Sequence, residues 1–150
     1  MKNRIIIVGI LLFCMSNVFA QKRPKTDWQN QNIKSSGTYF DTQIRDKKWA
    51  NINGKSYTSA KFNYLEGLTY AKLMVEKEMM LALDFDIEVL LGNLEAQLID
   101  SNGEIIFKKN FDKSQKTTEK VTLKENEEYQ LQFIGVEAKG SYFCQWKEIE

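Results

Sequence analysis

The chain has 150 residues, 43% of them apolar and 27% charged, with eight glycines and a single proline. That length supports one domain of ordinary size, and the composition is globular rather than disordered or fibrous. With no histidine and two cysteines, the chain alone makes no Ser-His-Asp triad, Cys-His dyad, histidine-bearing zinc site or imidazole pH switch.

The first twenty residues, MKNRIIIVGILLFCMSNVFA, have the three parts of a secretory signal peptide. Lys2 and Arg4 give a basic start, Ile5 to Phe13 an apolar centre, and Val18-Phe19-Ala20 a small-residue cleavage pattern. A membrane span needs about 20 apolar residues. The expectation is therefore cleavage after Ala20, a secreted or periplasmic product, and no membrane span in the mature form. Cys14 would be the acylated residue of a lipoprotein, but Phe13 before it is not small, which disfavours that route. Of the 21 basic residues, Lys2 and Arg4 leave with the signal, so 19 remain against 20 acidic ones and the mature charge is −1. No long basic block exists, so neither nucleic acid nor an anionic membrane surface is an expected partner. Cys144 is then the lone cysteine, with no disulfide available, and its strand-like setting predicts burial.

Residues 21–36 are polar, hold the proline and lack an apolar period, which predicts a flexible leader before a domain spanning 37–150. Trp28 is the one aromatic residue there. From Gly37 to Lys55 the residues Tyr39, Phe40, Ile44, Trp49 and Ile52 stand among charges and suggest an opening strand. Phe62 and Tyr64 mark the next strand, before Glu66-Gly67. Leu68 to Val75 read as strand, although LTYAKLMVEKEMM also holds good helix formers, and both remain open for 68–78.

The pattern is clearest after that. Met79, Leu81, Leu83, Phe85, Ile87 and Val89 alternate with residues that include Asp84, Asp86 and Glu88, a strand with one dry and one wet face. Gly92-Asn93 breaks it, and Leu94, Ala96 and Leu98 form the next strand. Asp100-Ser101-Asn102-Gly103 is a hairpin turn, returning through Ile105 to Phe111. Val121 and Leu123, then Tyr129, Leu131 and Phe133, and finally Tyr142, Cys144 and Trp146 continue the alternation, with 135–140 as a loop. About eight short strands separated by turns describe an all-β fold, an antiparallel, jelly-roll-like β-sandwich.

Asp100 to Gly103, Glu127 to Phe133, and Gly140-Ser141-Tyr142 with Trp146 make a pattern that resembles small secreted bacterial β-sandwich modules of the pre-peptidase C-terminal type. The likeness covers roughly residues 68–148. It implies a non-catalytic, envelope-associated or accessory module and names no ligand.

Three constellations bear on chemistry. Asp84, Asp86 and Glu88 project from one strand face about 7 Å apart and, with Asp100, are the candidate calcium ligands. A solvated acidic face explains them better, and no pocket is indicated that would raise a carboxyl pKa for glycoside hydrolysis. Tyr39, Phe40, Trp49 and Tyr57 lie in irregular sequence and are the candidate platform for stacking on sugar rings. Trp146, by parity with Tyr142 and Cys144, belongs to the core. Lys108, Lys109, Lys113, Lys116 and Lys120 read as lysines that keep a hairpin edge from pairing. No metal or nucleotide motif occurs, and no cofactor is expected.

The sequence thus predicts a non-enzymatic binding module whose partner is an extracellular glycan or an envelope protein. An assembly role through an edge strand is the second reading and a carboxylate glycosidase a remote third. Oligomeric state is not legible.

Overall fold

The computed structural model describes residues 22, 24–27, 30–41 and 48–149. Trp28 and Ile44, as well as the signal segment, lie outside the described residues. The described residues hold seven strands and no helix. They are β1 (Ile33–Phe40), β2 (Ala50–Asn53), β3 (Tyr57–Val75), β4 (Met79–Ile99), β5 (Ile105–Phe111), β6 (Gln115–Leu123) and β7 (Glu127–Ile149). All pairings are antiparallel.

Three long strands carry the fold, with β7 hydrogen-bonded between β3 and β4. Each long strand changes outer neighbour midway. The first part of β3 pairs with β2 and its second part with β1. The first part of β4 pairs with β6 and its second part with β5. Register shifts fall at the changeover, between Phe62 and Gly67 in β3 and between Val89 and Asn93 in β4. The result is two five-stranded half-sheets sharing three strands. The first runs β2-β3-β7-β4-β6 and the second β1-β3-β7-β4-β5.

The half-sheets face each other. Phe133 and Tyr142 sit nine residues apart on β7, and a straight strand would hold them about 30 Å apart. Their rings stack instead at 3.7 Å between centroids, 1° from parallel. Phe85 of the first half-sheet likewise meets Phe107 and Phe111 of β5 in the second. The strands therefore fold back at the register shifts, and the buried residues of both inner faces form one core, as in a β-sandwich.

The structure is all-β, as the alternation predicts, and 68–75 is strand. Strand boundaries differ from expectation in a consistent way. Glu66-Gly67, Gly92-Asn93 and 135–140 read as turns or loops, yet β3, β4 and β7 pass through them unbroken. Gly92 has φ +67°, and a Cβ there would lie 2.3 Å from the carbonyl oxygens of Val136 and Glu137. Its lack of a side chain lets β4 bend against β7 while the ladder continues on both sides. At the front, β1 begins at Ile33, inside the segment expected to be leader, because Ile33 is buried in the core opposite Val75.

Candidate functional site

The outer face of the second half-sheet carries a polar and aromatic row. Reading across β1, β3, β7, β4 and β5, the paired residues are Tyr39, Tyr70, Gln132, Gln97 and Lys108. Four strand spacings make the row about 19 Å long. A bulge puts Tyr39 in it. The register shifts between Gly37 and Tyr39, so Thr38 has no partner on β3 and every later residue of β1 changes face. Tyr39 consequently turns outward beside Tyr70, with ring centroids 5.3 Å apart and 27° between planes. Phe40, by the same shift, turns inward.

Beside the tyrosines, Lys72 stands 5.7 Å from the Tyr39 ring centre and pairs with Glu128 at 2.9 Å. The hydrogen bond and charge of Glu128 raise the Lys72 ammonium above its ordinary pKa. In the middle, three amides form a chain. Gln97 donates from Nε2 to Gln132 Oε1 at 2.5 Å, and Gln132 Nε2 donates to Gln130 Oε1 at 2.9 Å. This chain satisfies the buried Gln132 and leaves an acceptor on Gln97 and a donor on Gln130 at its ends. At the far side Lys108 pairs with Glu95 at 2.9 Å. The face therefore offers aromatic rings, paired amide donors and acceptors, and charges that are already neutralised.

The four aromatics expected to make a platform are not brought together. Tyr39 joins the outer row. Phe40 and Trp49 meet edge to face at 5.4 Å on the inner rim, where Trp49 stacks on Phe62 and donates from Nε1 to Asn51. Trp49 is thus half-buried against the core rather than a free surface. Tyr57 is only 7% exposed and stacks on Phe143. It was expected to be accessible because its sequence is irregular. That irregularity reflects the leader instead: Asp27 accepts hydrogen bonds from the backbone of Lys55 and Ser56 and from the Ser56 hydroxyl, and Gln145 donates to the Thr26 carbonyl. Lys22 and residues 24–27 therefore strap the outer face of the first half-sheet.

Tyr70, Gln97, Gln130 and Gln132 were missed in the sequence. Their positions in register across three strands are what bring them together, and the only local signal was their polar parity within apolar strands.

The acidic set does not form a metal centre. Asp86 pairs with Lys22 at 2.8 Å and Lys116 at 3.3 Å, Thr118 donates to Asp84, and Ser141 donates to Glu88. Asp100 sits apart at the β4–β5 hairpin, where its carboxylate accepts from the backbone of Asn102 and Glu104. Among the described residues no three acidic or cysteine side chains are placed to hold a metal ion. Burial works against the charge of Asp86, yet the two lysines outweigh it and hold the carboxyl below its ordinary pKa. That is the opposite of what a general acid requires. Of the lysines in the 108–120 region, Lys108, Lys109 and Lys116 are likewise engaged, Lys109 with Glu119 at 2.6 Å across β5 and β6.

No protein-family model matches the chain, and no curated protein matches it. Solved structures similar in strand course include carbohydrate-binding modules, a phage tailspike domain and an arabinofuranosidase. A module described as "CBM4 structure and function" aligns with TM-score 0.47 and 10% identity over 71% of this chain and 78% of that one. The TmCBM61 module in complex with β-1,4-galactotriose gives 0.43 and 10% over 79% and 88%. Xyl-CBM35 in complex with a glucuronic acid containing disaccharide gives 0.42 and 12% over 82% and 91%. Likeness at this level fixes no ligand.

Proposed function

We propose that this protein is an exported, non-catalytic module that binds an extracellular glycan on the outer face of the second half-sheet. The observation that carries the reading is the row of Tyr39, Tyr70, Gln132 and Gln97, with the amide chain continuing to Gln130. Sugar rings present C–H faces to aromatic side chains and vicinal hydroxyls to groups that both donate and accept, which amides do. A length of about 19 Å, from four strand spacings, suits a short oligosaccharide lying across the strands. The signal-peptide pattern of residues 1–20 supports export.

Assembly through a strand edge is less well supported. The edge strands β5 and β6 carry Lys108, Lys109, Lys116 and Lys120, and β1 carries the bulge, all features that discourage edge pairing.

A panel of soluble polysaccharides run through affinity electrophoresis tests the proposal. Retardation by at least one polymer is expected, reduced about tenfold or more in Tyr70→Ala and in Gln97→Ala at unchanged melting temperature. A panel without retardation, or retardation that neither substitution changes, overturns it.

A further inference from the structure

Each lysine on the outer face of the second half-sheet stands beside its own glutamate. Lys72 lies two residues from Tyr70 on β3, Lys108 on β5 is opposite Gln97, and Lys34 on β1 is opposite Met74. Lys72 pairs with Glu128 at 2.9 Å, Lys108 with Glu95 at 2.9 Å, and Lys34 with Glu76. Glu128 and Glu95 reach their lysines diagonally from the neighbouring strand, because the residues directly opposite Lys72 and Lys108 are Gln130 and Gln97. The Glu95 side chain is only 18% exposed, so its carboxylate has little room to swing away from Lys108. Lys72 is held from a second side by the Tyr39 ring, 5.7 Å from its centre.

These pairs decide what charge the face accepts. A bare ammonium attracts a carboxylate or sulfate. Here an arriving anion meets an ammonium and a carboxylate together, so attraction and repulsion nearly cancel while the cost of stripping water from the anion remains. Sugar hydroxyls escape that cost. Between the pairs the polar groups are uncharged: the amides of Gln97, Gln132 and Gln130, and the Ser36 hydroxyl, which accepts from Tyr39 at 3.2 Å. Resting on the glycan reading above, we propose that this face selects an uncharged glycan over one bearing uronate or sulfate groups, and that Glu128 and Glu95 set the selectivity by occupying Lys72 and Lys108. The glutamates act through the lysines and are positioning residues.

The test uses matched polymers. Xyloglucan, mixed-linkage β-glucan, galactan and mannan are each titrated by calorimetry in native, carboxymethylated and hydroxyethylated form, the last controlling for substituent bulk, with polygalacturonate and hyaluronate as natural polyanions. At least one native polymer and its hydroxyethylated form should bind alike, and its carboxymethylated form about fivefold or more weakly. In Glu128→Gln and in Glu95→Gln the ratio of native to carboxymethylated affinity should fall toward one, and the gained binding should weaken with added salt. Lys72→Met, which leaves Glu128 uncompensated, should widen the ratio. A folding defect lowers both affinities together and moves no ratio. Carboxymethylated polymer bound as tightly as native, or polygalacturonate bound where no neutral polymer is, overturns this inference and leaves the glycan reading standing. A ratio that neither glutamate substitution changes overturns it too. No binding to any polymer, neutral or acidic, overturns the glycan reading itself and this inference with it.

Discussion

At the scale of single residues, the core is held by rings whose neighbours come from both half-sheets. Phe85 is 2% exposed and contacts Phe107, Phe111 and Phe133 at 5.6, 6.0 and 6.4 Å between centroids. Phe85→Asp places an unpaired charge among them and should unfold the domain, a loss above the about 4–5 kcal/mol that marks exceptional substitutions. Circular dichroism would show it, and a wild-type melting curve would contradict the packing. Two buried tyrosines predict an alkaline limit. Burial raises the Tyr142 phenol from 10.0 to about 12, against hydrogen bonds from Thr69, Thr58 and Thr38. Tyr129 is also raised to about 12, chiefly by burial. Because the folded values lie above the unfolded one, the unfolded chain loses these protons first. Stability is whole below pH 10 and declines as pH climbs toward 12, by about 3 kcal/mol per tyrosine. Melting temperature measured from pH 8 to 12 should fall over that window, and Tyr142→Phe should flatten the slope. The interior position of Tyr142, Cys144 and Trp146 was legible from their shared parity. Tyr57 was misread because the Phe143 ring it stacks on, and the Asp27 carboxylate that binds the neighbouring Ser56, lie far from it in the sequence.

At the scale of elements, alternation revealed strands but not their continuity. The run from Met79 to Val89 and the Asp100–Gly103 hairpin are where the sequence placed them. Gly67, Gly92 and Gly135 looked like ends, since a glycine between apolar runs usually marks a turn. Here the neighbouring strand keeps bonding on each side, and the same glycines mark bends inside β3, β4 and β7. Which reading applies depends on pairing partners dozens of residues away, so local sequence cannot choose. The Tyr39 bulge has the same origin, and it decides which side of β1 reaches the candidate glycan face. The strap offers its own prediction. Asp27 serves Lys55 N, Ser56 N and Ser56 Oγ at 3.0, 2.9 and 2.9 Å, and Ser56 is fully buried. Burial opposes the Asp27 charge, but these bonds outweigh it and hold its carboxyl below the ordinary value. Asp27→Ala leaves a buried N–H unsatisfied and should cost about 1–3 kcal/mol. Faster amide exchange at Ser56, with Tyr57 becoming accessible to iodide quenching, is the expected sign. Wild-type exchange at Ser56 would mean that the strap contributes nothing.

At the scale of the whole molecule, two half-sheets built on the same three strands have no separate existence. Breaking β4 or β7 at the fold-back removes a central strand from both layers and separates Phe133 from Tyr142. Gly140 is where this can be tried. It lies in β7 opposite Val89, with φ +152°, and a Cβ there would come within 1.8 Å of the Glu88 carbonyl oxygen. The obstacle is backbone of the adjoining strand, so no side-chain rotation relieves it. Gly140→Ala must push β7 off β4 at the bend or abandon the bend, and a loss of about 3 kcal/mol or more is the expected scale. The informative quantity is how that loss is distributed. Amide exchange of Leu98 and Leu131 reports the second half-sheet, and that of Phe85 and Cys144 the first. If the layers form one cooperative unit, all four amides lose the same protection free energy in the variant. Loss confined to one pair would mean that a half-sheet survives alone. The glycan face would then rest on a layer able to fold without its partner, although every one of its central strands continues into the other.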